Sequence, residues 1–100
     1  MRDIVIVGSS GFAQEIKWLI DRINFIASCW NFLGYINNCT DSGNVIGNDE
    51  YLCNYAKELY VAVAIADPAL RHRLVTLYRG NKMLKALWSE REILYVPAPY

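Results

Sequence analysis

The sequence lacks an excess of charge of either sign. Its 100 residues carry ten Lys or Arg and ten Asp or Glu, so the formal net charge is zero. An even mixture of charges argues against an electrostatic surface for DNA, RNA or anionic lipid. No wholly apolar run approaches the roughly 20 residues that a transmembrane helix needs, and the N-terminus does not resemble a signal peptide. These features predict a cytoplasmic protein with no nucleic-acid or membrane partner.

Cysteine and histidine are also scarce. The three cysteines, Cys29, Cys39 and Cys53, are widely spaced, with no C-x-x-C pair and no nearby histidine. This pattern excludes the usual zinc motifs and favours reduced cysteines in a core or loop. His72 is the only histidine, and it lies between two arginines on the expected outer face of a helix. The sequence therefore predicts no catalytic residue and no metal site.

What the sequence does contain is an alternation of strand-like and helix-like segments. Strands are predicted at residues 3–7, 30–36, 59–66 and 93–96, and a short extended piece at 45–47. Helices are predicted from Gly11 to a stop near Asn24, and over residues 49–55, 68–79 and 83–92. This alternation predicts an α/β fold, a Rossmann-like three-layer domain with a small parallel sheet of about four strands.

Two of the predicted helices have clear faces. In the first, helical spacing turns one set of apolar residues inward: Phe12, Ile16, Leu19, Ile20 and Ile23. The other starts at Asp67 and Pro68, an N-cap followed by a residue with a preset φ. For this helix the spacing predicts Leu70, Leu74 and Leu77 inside, Arg71, His72 and Arg73 outside, and an end at Gly80 with left-handed φ.

The turn after the first strand reads Gly8-Ser9-Ser10-Gly11-Phe12-Ala13. Ser10 stands where the dinucleotide fingerprint G-x-G-x-x-G has its second glycine, so the match is partial. Gly11 would let the chain approach a bound group, Ala13 would let the helix pack closely on the strand, and the two serines offer donors to phosphate oxygens. We expect the amides of residues 8–12 to face an open crevice. The alternative is a tight turn with no ligand.

The end of the second strand weakens an NAD interpretation. NAD-binding domains place an acidic residue there to accept from the ribose hydroxyls, and this sequence has Asn37 and Asn38. Two amides could recognise the edge of a base, or they could simply form a turn. The segment around Ala66 and Asp67 follows the strand over residues 59–66 and is the third turn expected at the carboxyl ends of the strands.

Four blocks of the sequence resemble the N-terminal domain of bacterial sugar acyltransferases. They are "DIVIVGSSGFAQEIKWLID", "WNFLGYINN", "VIGNDEYL" and "LYVAVAIADPALRHRLV", in that order. The resemblance covers residues 2–79 and leaves residues 80–100 divergent. It is to enzymes similar to the sialic acid O-acetyltransferases and the UDP-amino-sugar N-acetyltransferases of surface polysaccharide biosynthesis. In this family the domain is Rossmann-like and binds the nucleotide-sugar or sugar substrate.

The resemblance implies substrate-binding roles for the matching positions, which are Gly8, Ser9, Ser10, Gly11, Phe12, Ala13, Asn37, Asn38, Ala66 and Asp67. The two asparagines stand where the family usually has aspartates, and Ala66 where it often has glycine. In the family, a left-handed β-helix follows and carries the acetyl-CoA site, the trimer contacts and a catalytic histidine. Here Val96 stands in place of a histidine near the entry to that domain.

From this resemblance we expect residues 1–100 to form a single nucleotide-sugar-binding domain, with no bound cofactor and no acyl transfer by this chain alone. Acetyl-CoA is expected only for a full-length family member. Two alternatives stay open, namely a module for NAD or another nucleotide, and an interaction domain without a ligand.

A final expectation concerns self-association. Residues 83–100 contain an apolar set: Leu84, Leu87, Trp88, Ile93, Leu94, Tyr95 and Val96. Either an edge strand at residues 93–96 or an exposed apolar patch would favour a homo-oligomer through this segment, most simply a two-fold dimer. The alternative is that the segment folds back onto the monomer's own core.

Overall fold

The computed structural model describes residues 2–8, 11–37, 45–47, 49–55, 57–81 and 83–87. Along these residues strands and helices alternate. The elements are β1 (Arg2–Val7), α1 (Gly11–Ala27), β2 (Trp30–Ile36), β3 (Val45–Gly47), α2 (Asp49–Asn54), β4 (Leu59–Val63), α3 (Pro68–Arg79) and β5 (Leu84–Leu87). The predicted α/β class is confirmed.

Within the part of the chain that the structure describes, five strands form one sheet, all pairings are parallel, and the order is β3-β2-β1-β4-β5. The five strands exceed the four or so that the sequence predicts, because the short piece Val45–Gly47 pairs with β2 and residues 84–87 pair with β4. From β1 the chain adds β2 and β3 on one side, and then returns to add β4 and β5 on the other side. This is the strand order of a Rossmann-like sheet.

Helices cover both faces of the sheet, which explains why β1 and β4 are almost continuously apolar. On one face, Ile4 and Ile6 pack with α1 through Ala13, Ile16 and Ile20. On the opposite face, the alternate residues of β1 and β4 pack with α2 and α3 in a second cluster: Val5, Val7, Val61, Val63, Leu52, Val75 and Tyr78. The result is the predicted three-layer arrangement.

The inner face of α1 is confirmed, but its predicted end is wrong. The helix continues past Asn24 to Ala27. Asn24 has another function, since its side-chain amide donates to the Trp30 carbonyl and accepts from the Trp30 N–H, both at 2.8 Å. An amide that pairs with the first residue of β2 therefore links the last turns of α1 to the sheet.

The start of α3 at Asp67 and Pro68 is confirmed, and its predicted faces are partly wrong. The buried residues are Val75 and Tyr78, while Leu70 and Leu77 are exposed and Arg71 is half-buried. Two stripes of similar spacing were available, and the one that buries the large Tyr78 ring faces the sheet. Gly80 ends the helix with a right-handed φ of −69°, so the left-handed φ predicted there is also wrong.

The helix predicted over residues 83–92 is wrong where the structure describes it, because residues 84–87 form β5. Alternation explains the difference, since Leu84 and Ala86 are buried on one face and Lys85 is exposed. Leu84 and Leu87 are thus part of the protein's own core. The strand predicted at residues 93–96 lies outside the described residues, and β4 ends at Val63, earlier than predicted.

Candidate functional site

The strand order reverses between β1 and β4, and the carboxyl ends of these strands lie side by side. The Ala64 N–H donates to the Val7 carbonyl at 2.9 Å, and the Gly8 N–H donates to the Ile36 carbonyl at 2.8 Å. These bonds continue the sheet ladder beyond the strands and bring the turns after β1, β2 and β4 to one edge. We call this the carboxyl edge. In open parallel sheets, ligands bind at such a reversal point.

Gly8 is required by packing. It is buried with a φ of +113°, and a Cβ added there would lie 2.7 Å from the Ala64 carbonyl oxygen. The chain after β1 can therefore pass close to the chain after β4 only if this residue has no side chain. Because its N–H already donates to Ile36, the expectation that this amide faces a crevice is wrong for Gly8.

Gly11 is in a different environment. It is the first residue of α1 and is exposed, and among the described residues no atom outside the helix's own backbone lies within 4 Å of the position that a Cβ would take. Phe12 is half-buried against the apolar cluster between α1 and the sheet, and Ala13 is fully buried in that cluster. Ala13 therefore allows close packing of helix on sheet, as predicted, while Gly11 leaves open space at the helix start. Ser9 and Ser10 lie outside the described residues.

Asn37 follows β2 at the same edge. Its N–H donates to the Gly47 carbonyl at 3.0 Å, which joins the end of β2 to the end of β3. The residue is half-buried. Asn38, the second predicted amide, lies outside the described residues. The structure thus places Asn37 one strand away from the glycine turn, on the side of β3.

The turn after β4 places Ala66 and Asp67 at the same edge, and both are exposed. The Asp67 carboxylate accepts hydrogen bonds from the N–H groups of Ala69, at 3.0 Å, and Leu70, at 3.4 Å. It is the N-cap of α3, and its negative charge compensates the positive end of that helix dipole. This role is structural, because the carboxylate accepts its hydrogen bonds from the first turn of its own helix.

Sequence reasoning missed a polar cluster at the opposite edge of the sheet. Asp3 accepts from the Tyr55 hydroxyl at 2.5 Å and from the Asn31 amide at 2.9 Å. These hydrogen bonds, chiefly the one from Tyr55, lower the pKa of Asp3 below its usual range. The same bond with Asp3 is the main cause that raises the pKa of Tyr55 to about 12. The cluster ties the end of α2 to β1 and β2, and no local motif indicates contacts between residues so far apart in sequence.

Within the described ranges, no group of three or more His, Cys, Asp or Glu side chains is placed to hold a metal ion. In the same ranges, no helix is both long enough and apolar enough to cross a membrane. His72 is exposed on α3, as predicted for a surface residue. Cys29, the cysteine whose side chain the structure describes, is a free thiol.

No curated protein matches this sequence. A family model does: the model of the PglD N-terminal domain matches residues 3–77. The matched region runs from β1 to near the end of α3, and so includes the turns after β1, β2 and β4 that meet at the carboxyl edge. The chain therefore belongs to the family of the PglD N-terminal domain, the N-terminal domain of PglD-like sugar acetyltransferases.

Proposed function

We propose that this domain binds the nucleotide-sugar or sugar substrate of a sugar acetyltransferase, in a crevice at the carboxyl ends of β1 and β4. The observation that carries the proposal is the reversal of strand order between these two strands. A reversal point sends the helices that follow the two strands to opposite faces, which opens a gap between their first turns. Membership of the acetyltransferase-related family supplies the substrate class.

The start of α1 is the position best suited to a diphosphate. A helix of 17 residues has a positive N-terminal end, and α1 has no acidic residue in its first turn to compete with an anion. The other helix that starts at this edge, α3, already has the Asp67 carboxylate on its first amides. Gly11 leaves room for a ligand to approach the amides, and the hydroxyls of Ser9 and Ser10 are donors next to it in sequence.

The base or sugar is assigned to the side of the crevice near Asn37. An asparagine side chain both donates and accepts, so it can pair with the edge of a uracil. It lacks the carboxylate with which a dinucleotide-binding domain accepts from an adenosine ribose. We therefore expect UDP-sugars to bind more tightly than NAD, and we assign the second asparagine, Asn38, the same type of contact.

Isothermal titration calorimetry with UDP-N-acetylglucosamine and with NAD tests the proposal. The informative variant is Gly11→Leu, which places a side chain in the open space at the start of α1 while leaving the core unchanged. The control is Thr76→Leu, which places the same leucine side chain at an exposed position of α3. We expect Gly11→Leu to weaken UDP-sugar binding at least about tenfold and the control to bind as the wild type does. Tighter binding of NAD, or equal binding by both variants, would contradict the proposal.

A further inference from the structure

The outer face of α1 carries large apolar side chains with no cover from the described part of the chain. Trp18 is 60% exposed, Phe25 92% and Ile26 83%. Trp18 and Phe25 lie opposite the stripe of Ala13, Ile16 and Ile20 that packs on the sheet, and Ile26 lies at the edge of that outer face. No rotation of the helix could therefore bury both faces against one sheet. Adjoining exposed apolar groups on one helix face mark a contact surface.

The residues along this face follow the spacing of a helix-pairing seam. Gly11, Glu15, Trp18, Arg22 and Phe25 are separated by four, three, four and three residues, the interval at which one helix meets another along its length. The Arg22 guanidinium lies over the Trp18 ring at 4.8 Å from its centroid. The seam thus has an aromatic centre, with an acidic residue, Glu15, on one side and a basic residue, Arg22, on the other.

We propose that α1 pairs with α1 of a second copy of this chain, antiparallel, about a two-fold axis at Trp18. Glu15 lies three residues before the axis and Arg22 four after it, so in an antiparallel pair each Glu15 faces the Arg22 of the other copy. Phe25 lies seven residues after the axis and Gly11 seven before it, so each Phe25 meets the open space at the other copy's Gly11. Charge and volume are both self-complementary in this register.

Charge selects this register over its neighbour. With the axis at Arg22, two guanidinium groups would face each other, and each Glu15 would lie near Cys29 without a cation. With the axis at Trp18, two ion pairs flank the aromatic centre. Like charges directly opposed in an interface are strongly unfavourable, and opposite charges fix the register.

The size of the face predicts a weak dimer. A buried Trp or Phe contributes about 150–250 Å², so with Ile26 the pair covers roughly 500 Å² per copy, or about 1,000 Å² in total, near the lower limit for a specific interface. We expect dissociation constants in the range of about 10–500 μM. If the proposed substrate site is correct, the dimer also places Phe25 of the second copy beside Gly11, at the mouth of that site.

Sedimentation equilibrium of the full chain, with charge reversals, tests the pairing. The variants are Glu15→Arg, Arg22→Glu and the two combined, and the control is Leu77→Glu, which adds a charge at an exposed apolar residue of α3. We expect each single reversal to weaken dimerisation at least about tenfold, because like charges then face each other twice. The combined variant should return to within about threefold of the wild type, and the control should not differ from it.

Several results would overturn the proposal. A wild-type chain that stays monomeric at about 1 mM has no such interface. Association that the single reversals leave unchanged must use another surface, such as residues 83–100. A combined variant as weak as the single ones would show that the two side chains do not face each other. Because Glu15, Arg22 and Leu77 are all exposed, circular dichroism is expected to show the same fold for every variant.

Discussion

The sharpest prediction concerns two glycines of one turn, Gly8 and Gly11, which should respond in opposite ways to alanine. In Gly8→Ala the new Cβ would lie 2.7 Å from the Ala64 carbonyl oxygen, at a φ of +113° that L residues rarely adopt. A strained backbone costs about 1–3 kcal/mol, and crowding of a packed site adds about 1–3 kcal/mol. In Gly11→Ala the Cβ meets no described atom beyond its own helix backbone within 4 Å, and alanine is the better helix residue by up to about 1 kcal/mol.

Urea denaturation followed by circular dichroism measures both effects. With a loss of about 3 kcal/mol and an m-value of about 1.5 kcal/mol per molar, the midpoint of Gly8→Ala should fall by about 2 M. The midpoint of Gly11→Ala should stay within about 0.5 M of the wild type or rise. If Gly8→Ala unfolds within about 0.3 M of the wild type, the close approach of the turn to Ala64 is not a feature of the folded protein.

Four further predictions concern other contacts and the ligand. Tyr55→Phe should lose about 1 kcal/mol near pH 7, where the bond to Asp3 is intact. On the acid side, that loss should shrink as pH falls below the usual Asp3 pKa of 3.8 and through its lowered value, because the stability from a depressed carboxyl pKa is complete only above the usual value. On the basic side, it should shrink as pH rises from about 10 towards the Tyr55 pKa of about 12. A loss that is constant over pH would contradict the assigned bond. Asn24→Ala should cost about 2 kcal/mol, since both Trp30 backbone groups lose their partner. Thermal unfolding measures this loss, and a loss no larger than that of Gln14→Ala, a change at an exposed residue of the same helix, would refute it. Asp67→Ala should lower the free energy of unfolding by about 1 kcal/mol and Asp67→Asn by much less, because an amide oxygen can still cap the helix. Urea denaturation measures both losses. Calorimetry with acetyl-CoA should detect no binding to this chain, and saturable binding would show that the cofactor site has been misplaced.

The strands were predictable where both faces of the sheet are covered. β1 ends in four consecutive branched aliphatics, β4 is apolar throughout, and the predicted bounds of β2 agree with those in the structure. The start of α3 was equally clear, because Asp67 and Pro68 act locally, through a cap and a preset φ. Such signals depend on the chain's own neighbours and need no tertiary information.

Features that depend on tertiary contacts could not be predicted in the same way. The spacing of α3 fits two stripes, and only its packing on β4 and β5 selects the one with Val75 and Tyr78. Residues 84–87 have a pattern too short to separate strand from helix, and pairing with β4 decides the outcome. The bond between Tyr55 and Asp3 joins residues that are 52 positions apart and has no local signature.

At the candidate site, the sequence predicted the position of the turns and the roles of Ala13 and Asp67 in packing and capping, but not the role of Gly8. The glycine spacing does not show that Gly8 is needed for close contact with Ala64 while Gly11 faces open space. The resemblance also assigned Asp67 to substrate binding, whereas in the structure its carboxylate is engaged as the predicted cap of α3. The distinction depends on the approach of two strands that are far apart in sequence, which no motif describes.

The most direct test of the central claim is an NMR titration of the ¹⁵N-labelled protein with UDP-N-acetylglucosamine and, separately, with NAD. The proposed function predicts saturable shifts of the amides at the carboxyl edge, centred on Gly11, Asn37 and Ala66, at lower concentrations of the UDP-sugar than of NAD. Amides at the opposite edge, around Asp3 and Tyr60, should not move. Shifts confined to that opposite edge, or a tighter response to NAD, would contradict the claim.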